Sequence, residues 1–161
     1  MPAGVLELVR GLEHFVAEDA KSARAFLSSV GTTKPLREIS IAILNEHTDS
    51  SEVSSLLVPL KEGKSIGLVS EAGCPAIADP GAALVEAAHA ARYRVVPLVG
   101  PSSITLALMA SGLEGQRFAF CGYLPREAED RKRRIREIER RSKAEREIGR
   151  ASCRERVYVL V

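Results

Sequence analysis

The chain has 161 residues, of which 45% are hydrophobic and 27% charged, and this composition suits a globular protein with a buried core. Only 4% of the residues are aromatic and none is Trp, which disfavours a surface that stacks on nucleic-acid bases. Its formal net charge of +2 is uneven: residues 1–125 carry 10 Lys and Arg against 13 Asp and Glu, a net of −3, and residues 126–161 carry 13 against 8, a net of +5. Three scattered cysteines without a CxxC pair indicate neither a disulfide framework nor a zinc knuckle, and without a long apolar run or signal peptide the expected location is cytoplasmic.

Short apolar runs alternate with helical patterns along the chain. The predicted strands are 14–17, 38–44, 65–69, 94–99 and 118–123. Apolar residues at helical spacing predict helices over 5–13, 20–30, 50–62, 82–91, 102–112 and 127–146. Pro59 should bend or shorten the third of these helices. Because strand and helix alternate with short connections, the sequence predicts an α/β fold with a doubly wound, mostly parallel sheet.

Two loops rich in proline and glycine each follow a predicted strand and precede a helix. They are 70–81, Ser-Glu-Ala-Gly-Cys-Pro-Ala-Ile-Ala-Asp-Pro-Gly, and 99–103, Val-Gly-Pro-Ser-Ser. Ligands of open α/β sheets bind outside the carboxyl ends of the strands, so two such loops outline one pocket. Gly73 and Gly81 allow backbone N–H groups close to a ligand, and the helix start at Ser102 and Ser103 suits a carboxylate, a ribose or a phosphate. The alternative is that these are turn and capping residues only.

The loops are part of a longer set of motifs. Residues 70–81 resemble the S-D/E-A-G-x-P-x-I-x-D-P-G signature of the tetrapyrrole methylase superfamily, most closely the branch that contains ribosomal RNA small-subunit methyltransferase I. Further blocks of that branch resemble 94–103 with 110–113, then 118–125, and an early acidic element at 16–19. Order and spacing agree across roughly residues 5–145.

This resemblance implies an S-adenosylmethionine-dependent methyltransferase of the class III fold that forms a homodimer. In that fold the cofactor lies between two α/β domains. In this chain the first domain would cover residues 1–100, and residues 101–146 would be the start of the second. The acceptor in that branch is a cytidine ribose 2′-hydroxyl of small-subunit ribosomal RNA; a tetrapyrrole or other small-molecule acceptor, or an inactive fragment, is the alternative. Matching motifs place two sets of residues along the cofactor: Glu71, Ala72, Gly73, Cys74 and Pro75 from one strand end, and Gly100, Pro101, Ser102 and Ser103 from the next.

Glu18 and Asp19, at the end of the 14–17 strand, are the candidate catalytic residues. A ribose hydroxyl is a poor nucleophile and benefits from an acceptor for its proton, so either carboxylate could accept the proton or orient the substrate. An equally weighted alternative is that both only end the strand and cap the next helix, since Asp is a good N-cap. The spacing of the three histidines suggests no metal site.

The helix predicted over 127–146 carries 9 basic and 6 acidic residues. Binding to a phosphate backbone is one interpretation. With the RNA acceptor that the resemblance implies, the predicted RNA contacts are Arg126, Arg131, Lys132, Arg133 and Arg134. The alternative is a solvated helix face whose charges pair at i,i+4 spacing.

Both ends depart from the family's pattern. The family opens with an apolar strand and a loop that completes one wall of the cofactor cleft, whereas here Met1-Pro2 leads into the first helix, so we expect the sheet without its first strand. Residues 147–157 have no counterpart in the family and resemble a translated sequencing-adapter oligonucleotide. Residues 147–161 are therefore interpreted as a non-native tail, with most of the second domain missing.

Overall fold

A computed structural model describes residues 1–113, 115–116 and 118–145 of the chain. It divides the chain into two compact units, Met1–Pro101 and Ser102–Val161, and each is described by itself. The predicted tail over 147–161 lies outside the described residues. Within the described part, no helix has the length and apolar character needed to span a membrane.

The first unit alternates helices and strands, as predicted. Its helices are α1 (Ala3–Gly11), α2 (Ala20–Val30), α3 (Ser50–Val53), α4 (Val58–Lys61) and α5 (Gly81–Ala90). Its strands are β1 (His14–Ala17), β2 (Ser40–Ile43) and β3 (Ile66–Val69). Short 3-10 turns cover Leu36–Glu38 and Ser54–Leu57, the second between α3 and α4. Pro59 lies in the first turn of α4, so the helix predicted over 50–62 is broken into short pieces, which confirms the expected effect of the proline.

The three strands form one parallel sheet in the order β2-β1-β3. Ala17, the last residue of β1, is level with Ile43 of β2 and Val69 of β3. The carboxyl ends of all three strands therefore meet at one edge of the sheet. This arrangement confirms the α/β class and the parallel pairing.

The core of this unit lies on both faces of β1, because successive side chains of a strand point to opposite faces. Phe15 and Val16 are each 2% exposed. Phe15 packs in one cluster with Val9, Leu27, Val30 and Ile39. Val16 packs in the other with Leu44, Val53, Leu57, Leu84 and Ala88. Helices thus cover both faces of the strand, as a parallel sheet requires.

Two predicted strands are wrong. Neither 94–99 nor 118–123 is a strand, and the apolar side chains there are largely open to solvent, Val99 being 71% and Phe118 52% exposed. Valine and phenylalanine favour extended backbone, but a strand also needs a neighbour to supply its hydrogen bonds. Within the described residues the sheet stops at β3, whose only partner is β1.

The second unit contains two helices in its described part, α6 (Ser103–Ala110) and α7 (Ala128–Glu145). No described residue of this unit is buried. Ser102 occupies the N-cap position of α6, but its side chain makes no capping hydrogen bond, so the hydroxyl cap considered for this helix start does not form.

Candidate functional site

At the carboxyl edge of the sheet, two carboxylates that the sequence predicts for the site, Asp19 and Glu71, lie near one side chain, that of Ser22. Asp19 and Glu71 each follow by two residues the level pair Ala17 and Val69. The hydroxyl of Ser22, in the first turn of α2, lies 2.8 Å from Asp19 Oδ1 and 3.4 Å from Glu71 Oε1. A hydroxyl donates one hydrogen at a time, so the shorter distance favours the bond to Asp19.

Asp19 is the N-cap of α2. Its Oδ1 also accepts a hydrogen bond of 2.7 Å from the Ser22 backbone N–H. The bonds from the Ser22 N–H and hydroxyl lower the pKa of Asp19 below its ordinary value. The structure therefore confirms that Asp19 caps α2, and a carboxylate with a lowered pKa is a weaker base. Glu18 is half-buried directly after β1.

The loop over 70–81 is held in an unusual backbone conformation by one side chain. Gly73, Ala76 and Ala78 have φ values of 80°, 65° and 59°. A left-handed alanine costs on the order of 1 kcal/mol, and such strain tends to gather at functional sites. Asp79 Oδ1 offsets it by accepting hydrogen bonds of 2.8 Å from the N–H groups of both Ala76 and Gly81.

Gly81 is needed for this closure because the chain approaches itself closely there. A Cβ at Gly81 would lie 2.9 Å from Asp79 Oδ1 and 2.9 Å from a methyl group of Leu68. Both distances are shorter than ordinary contact, so a side chain at position 81 would push the Asp79 carboxylate away from the loop. The Asp-Pro-Gly sequence thus fixes the loop on the end of β3.

The two predicted loops touch within the first unit. The Cys74 thiol donates a hydrogen bond of 3.4 Å to the carbonyl oxygen of Pro101, and a Cβ at Gly100 would lie 3.8 Å from Cys74 Sγ. Cys74, Pro75 and Gly100 are half-buried, whereas Glu71 and the two residues after it are exposed. Of the predicted cofactor residues, those of 71–75 and 100–101 belong to this edge; Ser102 and Ser103 belong to the second unit.

Sequence reasoning missed two residues of this edge, Ser22 and Asp79. The Asp-Pro-Gly turn carried a signal for Asp79, because Asp at a turn often binds backbone N–H groups two or more residues away. The spacing of Asp19 and Ser22 fits a helix cap and its first turn. The link from Ser22 to Glu71 depends on the pairing of β1 with β3, which are not consecutive in the chain.

The predicted RNA-contacting cluster does not lie on one face of α7. Arg131 donates to the carbonyl oxygen of Arg126 at 2.8 Å, and Arg134 pairs with Glu137 at 2.8 Å. Lys132 and Arg133 instead point to solvent, with 61% and 79% of their side chains exposed. A groove of about 390 Å³ runs along the Arg134 side of the helix, lined by Cys121, Arg134, Glu137, Ile138, Arg140 and Arg141.

The chain is similar in sequence to several bacterial proteins that carry one name. It is 37% identical over 131 residues to the ribosomal RNA small subunit methyltransferase I of Xylella fastidiosa, covering 81% of this chain and 46% of that protein. For the protein of the same name from Escherichia coli O157:H7 the identity is 37% over 83% of this chain and 45% of the relative. The protein of the same name from Thermotoga maritima is 34% identical to this chain, over 84% of this chain and 58% of the relative. The chain spans about half the length of the curated relatives it matches.

No protein-family model matches the chain. The similarity to ribosomal RNA small subunit methyltransferase I, predicted from the motifs, is confirmed by these relatives. The assignment to the wider superfamily stays a prediction.

Proposed function

We propose that this chain is part of an S-adenosylmethionine-dependent methyltransferase that modifies a cytidine ribose 2′-hydroxyl in small-subunit ribosomal RNA. The observation that carries the proposal is the meeting of the two predicted loops at the carboxyl edge of the sheet, through Cys74 and Pro101. The names of the relatives support methylation of small-subunit ribosomal RNA. The proposal includes the class III fold and a homodimer, which rest on the motif resemblance, and a cytoplasmic location, which rests on the sequence pattern.

The chemistry of the edge fits the methyl donor. S-adenosylmethionine, when bound, supplies a methyl group on a positively charged sulfonium. Asp19 and Glu71 place two carboxylates at this edge, which favours a cation and can accept hydrogen bonds from ribose hydroxyls. The exposed backbone of 71–73 offers further polar groups. We therefore propose that Glu71, Ala72, Gly73, Cys74 and Pro75 hold the donor with Gly100 and Pro101. A role for Ser102 and Ser103 in donor binding stays a prediction from the motif resemblance.

The chain's own residues have two tasks in this proposal. The rigid loop over 70–81, fixed by Asp79, aligns the donor with the acceptor oxygen, and alignment is the main requirement of an in-line displacement. Glu18 accepts the proton of the ribose hydroxyl as the oxygen attacks. Asp19 orients the edge by fixing the start of α2, because both hydrogen bonds to its Oδ1 come from Ser22.

Methyl transfer to RNA tests this proposal. The chain is incubated with tritiated S-adenosylmethionine and unmodified small-subunit ribosomal RNA, and the labelled RNA is digested to nucleosides. Label in 2′-O-methylcytidine is expected. Label on a base or only on small molecules would contradict the acceptor, and donor binding without any transfer would leave the donor site standing and remove the RNA acceptor.

Variants of the two carboxylates sharpen the test. Glu18→Gln should lower the transfer rate by about 10²-fold or more while leaving donor binding unchanged, because it removes a general base. Asp19→Asn should have a smaller effect. Glu7→Gln, at an exposed position of α1, is the matched control and should transfer at the original rate. Equal rates for Glu18→Gln and this control would remove Glu18 from the mechanism.

A further inference from the structure

Helix α7 carries a basic stripe on its solvent face that differs from the cluster predicted from the sequence. Successive residues of an α-helix are about 100° apart, so positions spaced by three, four and seven share a face. One side of α7 therefore presents Lys132, Arg133, Arg136, Arg140 and Lys143, hereafter the α7 stripe, and all five are exposed. The stripe runs for about 16 Å along the helix axis, at about 1.5 Å per residue.

Ion pairs on the helix neutralise only part of this stripe. Lys132 pairs with Glu129, Arg133 with Asp130 and Lys143 with Glu139, at distances of 2.8, 2.9 and 2.6 Å. These short-range pairs at the surface contribute little to stability and exchange readily with other charges.

Arg136 and Arg140 stand apart from those pairs. Among the described residues, neither forms a hydrogen bond or an ion pair. Two carboxylates lie between them in sequence: Glu137 binds Arg134 at 2.8 Å and Glu139 binds Lys143 at 2.6 Å. Two guanidinium groups one turn apart on an exposed face thus form no direct ion pair or hydrogen bond within the described part of the chain, and the charge of Arg140 acts only at longer range, where, after the larger effect of Arg134, it helps to lower the pKa of Glu137. A solvated helix designed only for stability would pair them at i,i+4 spacing.

We propose that the α7 stripe, with Arg136 and Arg140 at its centre, is a surface that binds the phosphate backbone of the substrate RNA; this rests on the RNA acceptor of the proposed function. Charge complementarity selects the partner, because three carboxylates, those of Glu129, Asp130 and Glu139, pair with three of the five cations and leave two positive charges in excess. Guanidinium groups bind phosphate oxygens in a bidentate manner. Arg131 and Arg134 donate to backbone carbonyl oxygens, and Arg134 lines the groove described above together with Arg140.

The experiment measures the affinity of a fluorescently labelled small-subunit ribosomal RNA fragment over a series of salt concentrations. Each lost phosphate contact lowers the slope of log affinity against log salt by about one. Arg136→Gln with Arg140→Gln should therefore reduce the slope by about two and weaken binding at low salt severalfold or more. Glutamine is a good helix former, so circular dichroism at 222 nm should not change.

Two controls make the result specific. Arg37→Gln with Lys61→Gln removes the same charge from exposed positions of the first unit and should leave the slope unchanged. Arg136→Lys with Arg140→Lys keeps the charge and should keep most of the slope. An equal loss in the Arg37 and Lys61 variant, or no RNA binding by the unmodified chain, would overturn the proposal. Titration with S-adenosylhomocysteine in the same samples reports separately whether the donor site has failed.

Discussion

In Met1–Pro101 the central strand has side chains buried on both faces, whereas in the second unit no described residue is buried. Leu27 is 0% exposed, while Leu106 and Met109 of α6 are 56% and 78% exposed. The apolar content of the two regions does not explain this, because α6 is the more apolar helix in sequence. Burial depends on having a sheet to pack against. The first unit can therefore hold a strained loop in place, and the second offers charged surface.

The largest effect is expected when one leucine is truncated in each region. Leu27→Ala should lower the free energy of unfolding by about 2–5 kcal/mol, because it leaves a cavity beneath β1. Leu106→Ala, on the exposed face of α6, should change it by about 0.5 kcal/mol or less. Urea denaturation followed by circular dichroism measures both. Similar losses would mean that the exposed side of α6 is buried in solution.

A smaller effect is expected from Gly67 in the middle of β3. A Cβ there would lie 2.7 Å from the ring of Phe15, which is itself buried, and 3.0 Å from Leu12. Gly67→Ala should therefore destabilise the first unit by about 1–3 kcal/mol through overpacking. Gly11→Ala is the matched control, since nothing lies within 4 Å of its Cβ position. Equal midpoints of the two variants in urea would contradict the close packing of β3 on Phe15.

The smallest effect concerns the cap of α2 and depends on pH. Asp19→Ala should lower the thermal midpoint at neutral pH by less than Gly67→Ala does, because it removes the acceptor of two Ser22 hydrogen bonds. The pKa of Asp19 is lowered in the folded protein, so its contribution is complete above the ordinary value of 3.8 and disappears as the pH falls through the lowered value. Thermal melts of the variant and the original should therefore converge in acid. A constant difference across the pH range would show that the Asp19 charge plays no part.

Much of the first unit follows from the sequence because local signals agree there with tertiary packing. The helix over 20–30 has a polar N-cap at Asp19, an apolar face and Gly31 at its end, and the structure reproduces its bounds. The three confirmed strands are short apolar runs between such helices. The runs at 94–99 and 118–123 have the same local character, but no other described residues form a strand beside them, which a sequence pattern does not reveal.

The candidate site likewise has a part that the sequence predicts and a part that only the structure reveals. The motif predicts the loop over 70–81 as part of the site. The contact of this loop with Pro101 forms although the strand predicted before Pro101, 94–99, does not. Ser22 was missed because its approach to Glu71 joins segments 49 residues apart through a pairing of β1 with β3. The sequence does not predict the α7 stripe, because adjacent basic residues point in different directions around a helix. The structure is needed to see which of them share a face and which form ion pairs.

The most direct test of the central claim, that the carboxyl edge of the sheet binds the methyl donor, is calorimetric titration with S-adenosylhomocysteine. The unmodified chain should bind it, and Glu71→Gln and Gly81→Ala should each weaken binding, the first by removing a carboxylate and the second by displacing Asp79. Gly4→Ala, which has open space around its Cβ position, should bind as the unmodified chain does. No binding by the unmodified chain, or equal affinity of all four proteins, would contradict the account.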